Sequence, residues 1–322
     1  MTIHEELSAV FDNYRGGAVS IGNFDGVHIG HAHLIERLHA HAERVGGPAI
    51  VFTFDPHPAV LLNPDNPPRP LTWKNRKARL LGQLGVDVVL FYPTEPGFLE
   101  ISAREFFQKI LVEQMQAKAL VEGANFSFGK NREGNSENLK NWCREAGIDL
   151  EIVPSVVQNG SVVSSSQIRK LISEGNIDLA NEALIQPYRI RGMVVHGDAR
   201  GRTLGFPTAN LEAIDTILPG DGAYAARVEL SVIDPASPLG GKVKKAYRAA
   251  VHIGPNATFN GHVKKVEVNI IDFSGDIYGK TLKVDFFSRI RDIVKFPTKE
   301  QLIEQLLQDR EQVIAHVPLE EA

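Results

Sequence analysis

Hydrophobic positions in the first half of the chain fall into two kinds of run. Short, nearly unbroken apolar stretches stand at Ala18–Ile21, 49–54, 86–92 and 118–121. Each is too short for a helix and is bounded by Gly, Pro or polar residues, which predicts buried strands. Between the first two, residues 31–45 put Leu34, Leu38, Ala42 and Val45 on one helical face, and Gly46-Gly47 supplies a stop. Strands alternating with helices predict a parallel α/β sheet. Near Gln186-Pro187 the pattern changes. Strand-like runs then follow closely at 190–195, 223–232, 247–252, 265–272 and 281–287, separated by turn residues, and predict a sandwich or small barrel. One helix, Lys299–His316, closes the pattern, with Thr298 and Gln301 at capping-box spacing. The expected organisation is an α/β domain over residues 1–185 and a mainly β domain over 186–322. Residues 63–70 read as a Pro-rich loop and 234–241 as a Pro/Gly-rich hairpin tip.

Composition narrows the class. A chain of 322 residues suits two domains of ordinary size. A net charge of −4 gives no global basic field, so nucleic acid is not expected as a partner. Cys143 is the sole cysteine, which excludes an intramolecular disulfide and a Cys-rich zinc site. No apolar run of about 18 residues stands in the sequence, so no membrane-spanning helix is expected. The first residues lack a basic segment leading into an apolar one, so no signal peptide is expected either. A cytoplasmic protein is the resulting expectation.

Two glycine-rich blocks carry candidate chemistry. In the first, the strand Ala18–Ile21 runs into Gly22-Asn23-Phe24-Asp25-Gly26-Val27-His28-Ile29-Gly30-His31. Ligands of open α/β sheets bind beyond the carboxyl ends of the strands. A helix N-terminus there offers free N–H groups and a positive dipole end to phosphate. Gly30 permits close approach of backbone, and His28 and His31 are placed to donate to phosphate oxygens. A metal site built on the same two histidines lacks a third ligand in the sequence around them.

This block resembles the His-x-Gly-His motif of the nucleotidyltransferase superfamily in its bacterial FAD synthetase form. Ser164-Ser165-Ser166-Gln167-Ile168-Arg169 resembles the Ser-Ser-Thr-x-Ile-Arg motif of that family, with Ser166 in place of threonine. It is read as ending the sheet and opening a helix that stops near Gly175. The resemblance implies that Gly22, Asn23, Phe24, Gly30, Ser164, Ser165 and Arg169 bind ATP and its phosphates, with His28 and His31 stabilising charge on the leaving pyrophosphate. Phe54-Asp55-Pro56-His57-Pro58 and the run from Gly123 to Lys130 also resemble family segments, and Asn125 is implied to lie near the flavin. The aromatic residues there read equally as core and as stacking partners of an isoalloxazine.

The second block runs from His196 to Asn210, with glycines at 197, 201 and 205. It is not a Walker loop, because it lacks Gly-Lys-Ser/Thr at the required spacing. Gly275 to Thr281 nearly mimics one, but a strand pattern follows, and it is read as a hairpin turn. Gly205-Phe206-Pro207-Thr208-Ala209-Asn210 resembles the riboflavin kinase signature, which implies a six-stranded barrel. It also implies phosphate contacts from Gly197, Gly201 and Gly205, and Mg²⁺ coordination by Thr208 and Asn210. Val266-Glu267-Val268 resembles the family's catalytic segment, making Glu267 the general base for a neutral hydroxyl nucleophile. The segment 290–296 resembles the flavin-side loop, with Arg291 as a substrate contact. Departures stand at Asn269, where the family often has histidine, and at Ala257, where proline is usual.

The two motif sets cover residues 15 to 315 and occur in the order a bifunctional riboflavin kinase and FAD synthetase requires. The substrates implied are riboflavin, FMN and ATP. Three rivals are weighed. A class I aminoacyl-tRNA synthetase shares His-Ile-Gly-His but needs a Lys-Met-Ser-Lys-Ser-like loop, which is lacking. A flavin-storage or regulatory protein is opposed by the joint presence of His28, His31, Arg169, Thr208, Asn210 and Glu267. An enzyme with one active domain remains open.

Overall fold

The structure is a computed structural model that describes residues 1–5, 14–197, 201, 204–233, 242–255 and 264–319. The hairpin tip at 234–241 and the loop holding Ala257 lie outside the described residues. The chain divides into two compact units, Met1–Ser165 and Ser166–Ala322.

In the first unit, β1 (Thr2–His4), β2 (Ala18–Ile21), β3 (Ala49–Asp55), β4 (Val88–Pro93), β5 (Ala119–Gly123) and β8 (Asp149–Val153) form one sheet, ordered β1-β4-β3-β2-β5-β8. Every adjacent pair is parallel. That explains the unbroken apolar runs, since a parallel sheet is covered on both faces; all four residues of β2 are buried. The weakly apolar β1 and β8 at the edges escaped the sequence reading. Strand order reverses between β2 and β5, which opens a crevice at their carboxyl ends.

Helix α1 (Ile29–Val45) follows β2 and buries Leu34, Ile35, Leu38, His41 and Ala42. It ends at Gly46, whose φ of 68° is the left-handed conformation that glycine takes without strain. Val45, expected on the buried face, is partly exposed. Helix α2 (Lys74–Gln83) packs Leu80 and Leu81 inward, and α3 (Ser136–Ala146) buries Leu139 and Cys143. Two short pairs lie outside the main sheet: β6 (Ser127–Phe128) with β7 (Gly134–Asn135), and β9 (Val157–Gln158) with β10 (Ser161–Val162). The second pair stands between the sheet and the serine run, so that run does not itself end the sheet.

The second unit begins with α4 (Ser165–Glu174) and α5 (Ile177–Ala183). Both are tied to the β structure: the Gly220 amide donates to Ile172 O at 2.9 Å, and Asn181 Nδ2 donates to Phe286 O at 2.9 Å. Strands β11 (Arg189–Val195), β12 (Ala209–Glu212), β13 (Gly222–Ile233), β14 (Lys242–Pro255), β15 (Lys264–Ile270) and β16 (Thr281–Arg291) close into an antiparallel barrel, ordered β11-β12-β15-β14-β13-β16. Five of the six strands match the sequence expectation. The sixth, β12, lies inside the Pro-Thr-Ala-Asn motif and is too short to stand out by periodicity.

The segment from Gly275 to Thr281 is not a hairpin turn. β15 pairs with β12 and β14, β16 pairs with β11 and β13, and the segment crosses between them. It is tied to β11, with the Gly279 amide donating to Val194 O at 2.9 Å. Helix α6 (Lys299–His316) starts with the Thr298 hydroxyl accepting from the Gln301 amide, and packs Val313 against Ala225 and Ile271.

Candidate active sites

The turn after β2 is held in a conformation most residues avoid. Phe24 and Val27 both have a φ of 46°, which costs roughly 1–3 kcal/mol each unless surrounding contacts dictate it. Those contacts are present. The Asp25 carboxylate, buried at 2% exposure, accepts from the amides of Leu71 (2.9 Å) and Thr72 (3.0 Å) and from the Thr72 hydroxyl (3.1 Å). Asn23 O accepts from Lys77 Nζ at 2.7 Å and from the Thr53 hydroxyl at 3.1 Å. The Ser165 hydroxyl donates to Asp25 O at 2.8 Å. Neither Asp25 nor Lys77 was assigned a role from sequence, since their partners lie about 50 residues away along the chain. Phe24 offers only backbone to a ligand, because its ring is buried in the turn.

The two histidines cap α1 reciprocally. His28 Nδ1 accepts from the His31 amide and His31 Nδ1 accepts from the His28 amide, each at 3.3 Å, and the rings stack at 3.6 Å. Burial lowers the His28 imidazole from 6.5 to about 4, against a smaller opposing pull from Asp25. Burial holds His31 well below its ordinary value, helped by His28 and Lys77. Both rings are therefore neutral near pH 7. With each Nδ1 accepting, the ring proton belongs on Nε2, which leaves two Nε2–H donors. Gly30 packs against this pair: a Cβ there would lie 3.1 Å from His28 Nδ1.

A cavity of about 790 Å³ opens beside the turn, lined by Gly22, Asn23, Phe54, Phe98, Asn125 and Phe128 among others. Asn23 Oδ1 is buried without a hydrogen-bond partner, an acceptor left for a ligand. Asn125 is exposed, with Nδ2 at 3.5 Å from the Ser155 hydroxyl. Phe128 belongs to the core cluster and also lines the cavity. Ser164 is half-buried beside Ser165, and Arg169 lies half-buried on α4 in the second unit.

In the barrel, Asn210 on β12 stands directly across from Glu267 on β15, which in turn stands across from His252 on β14. Glu267 is half-buried, with Lys265 Nζ at 3.1 Å and His252 Nδ1 at 3.9 Å. Burial lowers the His252 imidazole, with Glu267 pulling the other way. Asn210 Oδ1 is buried and has no partner. Gly197 and Gly201 wrap this point: a Cβ on Gly197 would lie 2.0 Å from Asn210 Nδ2, and one on Gly201 would lie 3.5 Å from Thr208 Oγ1. Gly205 takes a φ of 83°. The orphaned amide oxygen and the nearby threonine hydroxyl are hard oxygen donors, a set that fits Mg²⁺.

Arg291, expected as a flavin contact, is held by the closing helix. Its guanidinium bonds both carboxylate oxygens of Asp309 on α6, with Nη2 at 2.7 Å from Oδ2, and lies over the Phe296 ring. Asp309 is 2% exposed. Among the described residues no cluster of three His, Cys, Asp or Glu side chains could hold a metal, and no helix is long and apolar enough to cross a membrane.

Sequence comparisons agree with this geometry. Residues 11–167 match the family described as FAD synthetase, and residues 184–317 match the family described as riboflavin kinase. Bifunctional riboflavin kinase/FMN adenylyltransferases cover the chain nearly end to end. The Escherichia coli K12 protein is 33% identical over 92% of this chain and 91% of its own. The Haemophilus influenzae protein is 34% identical over 92% and 93%, and the Bacillus subtilis protein 32% identical over 92% of each. A crystal structure from Streptococcus pneumoniae, titled a macrolide-efflux protein, superposes with a TM-score of 0.85 at 34% identity over 98% of this chain and 99% of that one. With both halves matched in order by proteins of the same length, the chain belongs to the bifunctional riboflavin kinase/FMN adenylyltransferase family.

Proposed function

We propose that the chain makes FMN from riboflavin and ATP in its barrel, and FAD from FMN and a second ATP in its α/β domain. The functional division we assign is 1–185 for adenylyl transfer and 186–322 for phosphorylation. The observation that carries the reading is the pair of orphaned acceptors, Asn23 Oδ1 in the crevice and Asn210 Oδ1 across from Glu267.

In the barrel, the Glu267 carboxylate accepts the proton of the riboflavin hydroxyl as the oxygen attacks the γ-phosphorus of ATP, and ADP leaves. Thr208 and Asn210 are the residues that would hold Mg²⁺, which offsets charge on the transferred group when bound. Backbone at Gly197, Gly201 and Gly205 approaches the nucleotide phosphates, and Arg291, oriented by Asp309, contacts the flavin side.

In the α/β domain, the FMN phosphate is already an anionic nucleophile and needs no base. Attack on the α-phosphorus of ATP releases pyrophosphate, so orientation and charge stabilisation carry the step. The neutral His28 and His31 donate from Nε2 to the phosphates. Gly22, Asn23, Phe24 and Gly30 supply close backbone, while Ser164, Ser165 and Arg169 complete the phosphate contacts. Asn125 and the aromatic cavity wall hold the flavin. We assign the protein to the cytoplasm, where riboflavin and ATP are both at hand, and neither step as written uses a nucleic acid or a membrane.

Purified protein incubated with riboflavin, ATP and Mg²⁺, with flavins separated over time, tests the proposal. FMN appearing first and FAD second is the expected result. FMN alone would restrict catalysis to the barrel, and bound but unconverted flavin would favour a binding protein.

A further inference from the structure

One bond across the crevice is not supplied by the strand ladder. β2 and β5 pair at Ala18–Ala119 and Val19–Leu120, after which their register ends. On its other side β2 stays with β3 as far as Ile21–Phe52, and β5 stays with β8 as far as Gly123–Val153. The sheet therefore splits along one line, between β2 and β5. Just past the split, the Ile21 amide points toward β5. The Gly22 amide, one residue on, donates to Phe52 O on the opposite side at 3.0 Å. Ile21 is buried, so an unmet N–H there would be a costly orphan. The partner it finds is a side chain: it donates to Glu122 Oε1 at 2.8 Å.

Glu122 is 1% exposed and sits on β5 directly before Gly123. We propose that Glu122 is a positioning residue for adenylyl transfer, its carboxyl bridging the split between β2 and β5 and thereby fixing the two walls of the cavity. The walls are the adjoining residues: Ile21, Gly22 and Asn23 on the β2 side, and Asn125 and Phe126 on the β5 side. A side chain spans more distance than a backbone carbonyl, so the bridge holds the strands together at a spacing that leaves room for a ligand. Burial raises the Glu122 carboxyl well above its usual range, and only the Ile21 bond opposes it. Burial thus favours the neutral acid, the form that adds no negative charge beneath a site for anionic FMN and ATP. Nothing in the residue patterns carries this role, because a glutamate in a buried strand reads as an exception without a partner until the Ile21 amide is seen.

The inference rests on the crevice being the adenylyl-transfer site, and the test separates the two ideas. Glu122→Gln keeps an acceptor of the same length, and Glu122→Leu removes it at similar bulk. Both are made in the full chain, and steady-state FAD formation from supplied FMN is measured, with FMN formation from riboflavin as the internal standard. The leucine variant is expected to lose about tenfold to a hundredfold in kcat/KM for FMN, mainly through kcat, as for a small misplacement of bound substrate. The glutamine variant is expected to stay within about twofold of the parent, and both should phosphorylate riboflavin normally. A leucine variant equal to the parent overturns the role. So does a glutamine variant as impaired as leucine, or a first unit that unfolds with leucine alone, which would make the bond one of stability only. A parent protein that makes no FAD removes the adenylyl-transfer reading itself.

Discussion

Replacing Glu267 with glutamine should separate the two activities. The substitution keeps the shape of the side chain but removes its capacity to accept a proton. General-base assistance contributes about 10²–10⁴ in rate, which is about 2.7–5.4 kcal/mol of barrier at about 1.36 kcal/mol per tenfold. The structural cost is small by comparison. Glu267 has 30% of its side chain exposed, and its nearest charge is Lys265 at 3.1 Å. Pairs of that kind contribute about 0–1 kcal/mol. The barrel should therefore melt as the parent does, while FMN formation falls at least a hundredfold. FAD formation from supplied FMN, measured in the same preparation, should not change. A fall in FMN formation of less than about tenfold would remove Glu267 as the base. A parallel loss of FAD formation would refute the assignment of separate sites.

Exchanging both His28 and His31 for alanine should do the reverse, abolishing FAD formation while sparing FMN formation; loss of the reciprocal cap should add about 1 kcal/mol of destabilisation in urea unfolding. A Gly197→Ala change would drive its Cβ to 2.0 Å from Asn210 Nδ2, so the Mg²⁺ needed for half-maximal FMN formation should rise while adenylyl transfer is unaffected. Truncating Asp309 to alanine strands the Arg291 guanidinium and should cost about 3–5 kcal/mol in denaturant unfolding of the barrel, together with a higher KM for riboflavin. Stability should also depend on pH through His28, whose imidazole titrates at about 4 in the fold against 6.5 ordinarily. The unfolded chain binds the proton first, so stability falls as pH drops from 6.5 toward 4, by about 3 kcal/mol. His28→Gln should flatten that part of the curve in unfolding titrations.

The sequence was legible where burial writes a period. The central strands of the parallel sheet are apolar on both faces, and five barrel strands and the closing helix carry their own patterns. What escaped was decided by pairing. β12 has four residues, of which Asn210 is polar yet buried, so no alternation announces it. The segment at Gly275 reads as a hairpin because local sequence says where a chain turns, not which strand it joins next. At the sites, residue identities were readable from motifs, but their states were not. The neutral, mutually capping histidines depend on burial, and the engagement of Arg291 depends on a helix 18 residues further along. Asp25, Lys77 and Glu122 act through partners distant in sequence, and no spacing rule could bring them together.

The short strand β12 has a consequence for how the enzyme comes into being. It is the stave that joins β11 to β15, so the seam of the barrel is sealed by the same residues that carry Asn210 and follow Thr208. A chain whose seam is still open has no assembled cradle for a nucleotide. Competence to phosphorylate riboflavin is then acquired at the moment of closure, and any nucleotide that recognises only the sealed form draws the population toward it.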